Sequence, residues 1–304
     1  MEQTIQQQQV PLKQIQVSFS SKEQAEGAGA KVRRFIGIKQ VPNLDPFLML
    51  DMASVTLPAG FPDHPHRGFE TVSYLLSGEM YHEDFKGHRG KLGPGDVQWM
   101  TAGKGIVHSE MPASFTEPAV GFQLWINLDS KNKFCEPRYQ EFGSRLIPEF
   151  KDTSFKAKVI AGEVFGVKGP IEAKTPTYFL DFYMDKDKTY DHKIPAGWNS
   201  MVIVHSGSLQ VQDSSTVLKK GDAAQFKISE GQDQYLRFNA QSDGTGFVLL
   251  AGKPINEPIV WKGPFVLNTQ EQMQQTFKDY SYGKNGFEGA NGWESDIKNL
   301  RYEE

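Results

Sequence analysis

Between Phe69 and Trp125 the chain alternates short β-prone runs with turn residues. The runs are Thr71–Leu76, Glu79–His82, Asp96–Met100 and Gly121–Asn127, and Gly, Pro or Asp separates each from the next. Closely spaced short strands punctuated in this way predict an all-β sandwich or barrel. Upstream, Leu44-Asp45-Pro46-Phe47 and Phe61-Pro62-Asp63 interrupt any helical reading. Lys31-Val32-Arg33-Arg34 runs into Phe35-Ile36-Gly37-Ile38 and reads as an early strand with a charged solvent face; the alternative is a phosphate- or partner-binding patch. The polar start, with its Gln6–Gln9 run, reads as a disordered tail.

The same grammar recurs about one domain length later. Ser73-Tyr74-Leu75-Leu76-Ser77-Gly78 is echoed by Val202-Ile203-Val204-His205-Ser206-Gly207, and the Gly95-Asp96 turn by Gly221-Asp222. Such spacing points to a duplicated domain, not a solenoid. Two barrels of one kind, joined between Arg145 and Ser154, divide the chain into 1–147 and 148–304. The one clear helical signal is late. Asn268-Thr269-Gln270-Glu271 places a cap residue three before Glu, Glu271 to Asp279 continues the helix, and Gly283 to Gly286 ends it over one barrel.

Composition narrows the class. A chain of 304 residues with 12% aromatic content can fill two compact cores. Its net charge of −4 argues against direct nucleic-acid or anionic-membrane binding. The single cysteine, Cys135, excludes an intrachain disulfide framework and fits a reducing compartment. No apolar run approaches membrane-spanning length, and Met1 to Gln9 lacks the pattern of a signal peptide. These features predict a protein that is not secreted, a monomer of the cytoplasm that is small enough to enter a nucleus passively.

Chemistry concentrates between Asp63 and Pro112. The chain has seven histidines, and three fall in two short clusters, His64/His66 and His108/Glu110. On a strand, residues two apart share a face, so each pair can point into a barrel. Pro65 lacks a ladder donor and suits a strand start or edge. Two same-face pairs from separate strands can converge on one divalent cation, and imidazoles with a carboxylate suit iron, copper, nickel, manganese or zinc. Phe69, Tyr74, Trp99, Phe122 and Trp125 are candidates for an apolar pocket around it. Glu70 has three open roles: a ligand, a carboxylate orienting a histidine, or the partner of Arg67 or another base. His82 and His88 lie in a charge-rich stretch that reads as an exposed hairpin loop.

DHPHRGFETVSYLLSGEM, GPGDVQWMTAGKGIVHSEMP, GPFVLNTQEQ and KNGFE together resemble the pirins of the cupin superfamily, from about Ser20 to Glu294. The resemblance implies a bicupin: two antiparallel jelly-roll β-barrels with a short C-terminal helix. It implies one iron (Fe2+) in the N-terminal barrel, held by His64, His66, His108 and Glu110, with Glu70 behind a ligand histidine. Gly103, where many cupins carry proline, agrees with the pirin pattern. Aligning Gly78 with Gly207 puts Lys193, Pro195 and Asn199 where His64, His66 and Glu70 stand, with His192 and His205 off the ligand positions. The C-terminal barrel is therefore expected to be metal-free.

Two activities follow from the resemblance. The first is quercetinase-type dioxygenation of a flat flavonol with O2, Glu110 taking the proton of the flavonol hydroxyl. The second is a redox-sensing co-regulator that contacts transcription factors in the nucleus, for which Lys31, Arg33, Arg34 and Arg67 would supply a basic surface. A structural bicupin of storage type is disfavoured by the intact ligand set.

Overall fold

Strand alternation and turn glycines set the architecture. The computed structural model describes residues 10–302, so the Gln6–Gln9 tail lies outside the described residues. The first barrel pairs a seven-stranded sheet with a four-stranded one. The larger sheet runs Arg138–Phe142, Val97–Thr101, Phe69–Ser77, Ala119–Asn127, Phe47–Val55, Ala30–Ile36, Glu23–Glu26. The smaller runs Phe61–His66, Ile106–Pro112, Met80–Asp84, Arg89–Leu92. All the pairings between these strands are antiparallel. The second half repeats the plan, with Thr189–Ile194 and Gln234–Ala240 in the places of Phe61–His66 and Ile106–Pro112. The fold is the expected bicupin.

The two large sheets pack against each other through Val72, Tyr74, Trp99 and Phe122 on one side and Phe179, Ile203 and Val248 on the other. Tyr74 donates to Asp181 at 2.6 Å across this contact. Tyr74, Trp99 and Phe122 were candidates for a pocket around the metal; they belong instead to this inter-barrel core. The reason is parity: Tyr74 and Phe122 are cross-strand partners, so both lie on the face opposite that of Ser73. The interior of the second barrel is apolar, built on Phe182, Leu236, Phe238 and Phe247.

Each half also reaches into the other. Ile15–Ser20 adds an edge strand to the second large sheet, while the C-terminal segments cover the outside of the first barrel's small sheet. Ile106–Pro112 is buried along its whole length for this reason. Val107 packs with Phe265, Leu267, Met273 and Phe287, and Met111 with Leu57 and Ile297. The covering helix is Gln270–Tyr282. Its N-cap is Thr269, whose hydroxyl accepts from the Gln272 amide while the Gln272 side chain returns to the cap, so the box lies one residue beyond the expected Asn268/Glu271. Asn268 instead spends its side chain on Glu257 and the Pro258 carbonyl. Gly283, with φ 62°, ends the helix in the left-handed conformation that glycine adopts without a Cβ clash. Among the described residues no helix is long and apolar enough to cross a membrane.

Candidate metal centre

Three imidazoles converge inside the first barrel. His64, on Phe61–His66, faces His108, on Ile106–Pro112, as a direct cross-strand partner. His66 lies one side-chain period further along, so the three rings share an interior face, with centroids 4.4 Å (His64–His108), 4.7 Å (His64–His66) and 5.0 Å (His66–His108) apart. One ring nitrogen from each falls within 4.8 Å of the others. Burial drives all three rings toward the neutral form, and for His66 and His108 the neighbouring imidazoles add to the effect.

The pattern of hydrogen bonds says what the cluster is missing. Nδ1 of His64 lies 2.9 Å from the Pro62 carbonyl, which fixes that proton and leaves Nε2 with a lone pair. Nδ1 of His66 and both ring nitrogens of His108 are buried without a partner. Buried polar atoms are normally satisfied, so this is an unstable arrangement by itself and a suitable one for a cation that accepts lone pairs. The donor set therefore fits a metal ion.

Glu110 lies beside the cluster. The register with Phe61–His66 slips between His108 and Glu110, a bulge that re-aims the end of the strand. The carboxylate lines the same cavity as His64 and His66, with Ser73 donating to Oε1 at 2.6 Å and Gln123 to Oε2 at 2.9 Å. Both donors belong to a polar row along the larger sheet, paired in register: Arg34, Asp51, Gln123, Ser73, Gln98 and Glu141. Its members satisfy one another, for example Arg34 on Asp51 at 2.8 and 2.7 Å and Gln98 on Glu141 at 2.8 Å. Nothing in the one-dimensional pattern marks Ser73 or Gln123 as part of the site; only pairing across strands does.

The cavity occupies about 590 Å³, and Trp125 and Trp261 are among its lining residues. Phe69 and Trp125 stand against His66, at 5.0 and 5.2 Å between centroids, and give the site an apolar side. Below this, the Lys133 amine is fully buried, donating to the Gly68 carbonyl at 2.9 Å and to Asn127 Oδ1 at 2.6 Å. Burial pulls its pKa down to about 7.

Several expected roles change. Glu70 does not stand behind a histidine. It begins a different strand, in the other sheet, on the face opposite Ser73, and it accepts from Thr101 at 2.7 Å. The turn at Gly68, with φ 88°, breaks the parity that would have aligned it with His66. His82 is on the strand Met80–Asp84, buried beside Glu141 and in register with Glu110, whereas His88 is exposed in the turn as expected. Arg67 is buried, bonded to the Lys104 and Asn285 carbonyls, Thr276 and Asp279. Lys31 pairs with Glu23, Arg33 donates to the Ser21 carbonyl, and Arg34 is held by Asp51 and Glu26. Arg67 and Arg34 are thus withdrawn from the expected basic surface, whereas the Lys31 amine stays exposed.

The second barrel carries a different set. Its strand pairing puts His192 and Leu236 opposite each other, as His64 and His108 are in the first. Following the register, Ile194 stands for His66 and Phe238 for Glu110. His192, not Lys193, is thus the counterpart of a ligand position, because the turn after this strand is longer than the Arg67-Gly68 turn. One imidazole among three apolar side chains replaces three imidazoles and a carboxylate.

Comparison with known proteins places this arrangement. The chain is 47% identical to Pirin of Homo sapiens over 288 residues, covering 94% of this chain and 99% of that protein. It is 48% identical to a Pirin-like protein of Solanum lycopersicum over 278 residues, 90% of this chain and 94% of that one. Among solved structures, a quercetin 2,3-dioxygenase from Acinetobacter baumannii superposes with a TM-score of 0.81 at 32% identity, covering 91% of this chain and 99% of that one. A bacterial pirin from Escherichia coli in complex with nickel(II) shares the fold, with a TM-score of 0.62 at 22% identity, covering 78% of this chain and 99% of that one. The Pirin family model matches residues 29–126 and the Pirin C-terminal cupin domain model residues 179–286. The chain belongs to the pirin family.

Proposed function

We propose that the chain holds one ferrous ion through His64, His66, His108 and Glu110 and opens flavonols with O2 as a quercetinase-type dioxygenase. The observation that carries this reading is the convergence of three imidazoles, two of them buried with unpartnered ring nitrogens, beside a cavity lined by His64, His66, Glu110 and two tryptophans. The likeness to a quercetin 2,3-dioxygenase supports the substrate class. Bound iron would supply Lewis acidity toward the flavonol oxygen and a redox partner for O2.

The chain's own residues do the rest. His64 presents Nε2 because the Pro62 carbonyl holds its other nitrogen. Glu110 takes the proton of the flavonol 3-hydroxyl at a carboxylate oxygen. Ser73 and Gln123 keep that carboxylate aimed into the cavity. Phe69 and Trp125 pack against His66 and keep water off that side of the site. The test is oxygen uptake on quercetin by protein of known metal content. Uptake in proportion to bound iron is expected. Full loading with iron and no uptake would defeat the dioxygenase reading. Preparations loaded with copper, nickel or manganese identify which ion sustains turnover.

A further inference from the structure

The wall of the metal cavity is completed by the far end of the chain. Trp261 lies on the short hairpin Val260–Lys262/Phe265–Leu267, 195 residues beyond His66 and 153 beyond His108. The hairpin is locked to the ligand strand. Val266 N donates to the Arg67 carbonyl at 3.1 Å, and a Cβ on Gly68 would collide with the Val266 carbonyl. Phe265, Val266 and Leu267 are buried, whereas Trp261, which lines the cavity, is 40% exposed. Its indole N–H is satisfied within the hairpin by the Gly263 carbonyl at 2.9 Å, which fixes the ring and leaves it free to stack. The ring touches Trp125 at 5.8 Å between centroids, and Trp125 touches His66 at 5.2 Å. A continuous aromatic surface thus runs from the solvent to a ligand imidazole.

Other parts of the cavity lining have the opposite character. They carry Glu26, Asp51, Asp63 and Glu110, with Arg34 as the one lysine or arginine among the described lining residues. That guanidinium is already committed to Asp51 and Glu26 at 2.7 Å each. No uncommitted lysine or arginine remains among the described lining residues to receive a carboxylate or sulfate, while the acidic oxygens can accept hydrogen bonds from hydroxyl groups.

We propose that Trp261 is a specificity-determining residue: with Trp125 it forms an aromatic wall that, together with the carboxylate-bearing remainder of the cavity, selects uncharged, planar, multiply hydroxylated ligands and rejects anionic ones. The proposal rests on the flavonol reading of the same site but concerns binding, not turnover. An aromatic stacking surface of this kind contributes about tenfold or more to affinity.

The experiment is an anaerobic binding titration of iron-loaded and metal-free protein with quercetin, and with quercetin sulfated on a ring position away from the 3-hydroxyl. Trp261→Ala is expected to weaken quercetin binding about tenfold or more in both forms, and Trp261→Phe by about threefold or less. The sulfated probe is expected to bind the wild type about tenfold more weakly than quercetin. Unchanged affinity in Trp261→Ala, equal binding of the sulfated probe, or no quercetin binding by the wild type would overturn the proposal. Wild-type protein that binds quercetin through Trp261 yet consumes no oxygen would leave the proposal standing and defeat the dioxygenase reading alone.

Discussion

The guanidinium of Arg67 and the carboxylate of Asp279 meet at 2.8 Å, 212 residues apart in the chain, with side-chain exposures of 1% and 7%. Arg67 follows directly on the ligand His66, and Asp279 sits in the last turns of the C-terminal helix. The guanidinium also lies 4.6 Å from the Phe287 ring and donates to the Lys104 and Asn285 carbonyls. One side chain therefore ties the helix, the segment after it and the metal strand together. Arg67→Met is predicted to cost about 3 kcal/mol, because it leaves the Asp279 carboxylate buried without its cation, with only Gln275 and Asn285 still donating to it. Chemical denaturation measures the loss, and a variant as stable as the wild type would show that the helix docks by its apolar face alone.

Glu110 is predicted to act on turnover more than on binding. In Glu110→Gln the side chain keeps its volume, and it can still accept from Ser73 or Gln123, but it cannot take a proton. Per bound metal, kcat should fall roughly a hundredfold or more while quercetin affinity changes little. Equal losses in both would remove the proton-transfer role from Glu110 and leave it only that of a ligand.

His108 offers a test that needs no substrate. Both its ring nitrogens are buried without partners, so in metal-free protein the residue carries an uncompensated desolvation cost. His108→Leu is predicted to be more stable than metal-free wild type by about 1–2 kcal/mol. Added metal should raise the wild-type Tm, by the free energy of binding to the folded state, and leave the variant unmoved. Melting curves with and without chelator decide it.

Lys133 gives a pH dependence of definite sign. Its amine titrates at about 7 when folded, against 10.5 for the free side chain. Between those values the unfolded chain holds a proton that the folded chain does not, so stability rises with pH. Below about 7 both states are protonated and the burial cost is constant. Relative to Lys133→Met, the wild type should therefore gain stability from pH 7 to pH 9, approaching about 1.4 kcal/mol per pH unit. Parallel pH profiles of the two proteins would contradict this.

What could be read from the sequence followed local parity. His64, His66, His108 and Glu110 stand in pairs two residues apart, and on a strand that spacing suffices to place each pair on one face. The same rule failed wherever a turn intervened. The turn at Gly68 takes Glu70 off the face of His66, and His192 rather than Lys193 stands opposite Leu236 because the two barrels turn with loops of different length. His82 looked like loop because its neighbours are charged, yet Tyr81 and Glu83 alternate outward while His82 points in. Pairings over long range left no local mark at all. Ser73 and Gln123 meet Glu110 only across strands, Tyr74 is recruited by Asp181 of the other barrel, and Trp261 reaches the cavity only because a hairpin folds back onto Arg67.

The central claim is one metal, in one barrel. Elemental analysis of the purified protein and of His64→Ala/His66→Ala tests it most directly. The wild type is predicted to carry a single iron per chain and the double variant none, with His192→Ala indistinguishable from wild type. No stoichiometric metal in the wild type, or metal retained by the double variant, would contradict the account.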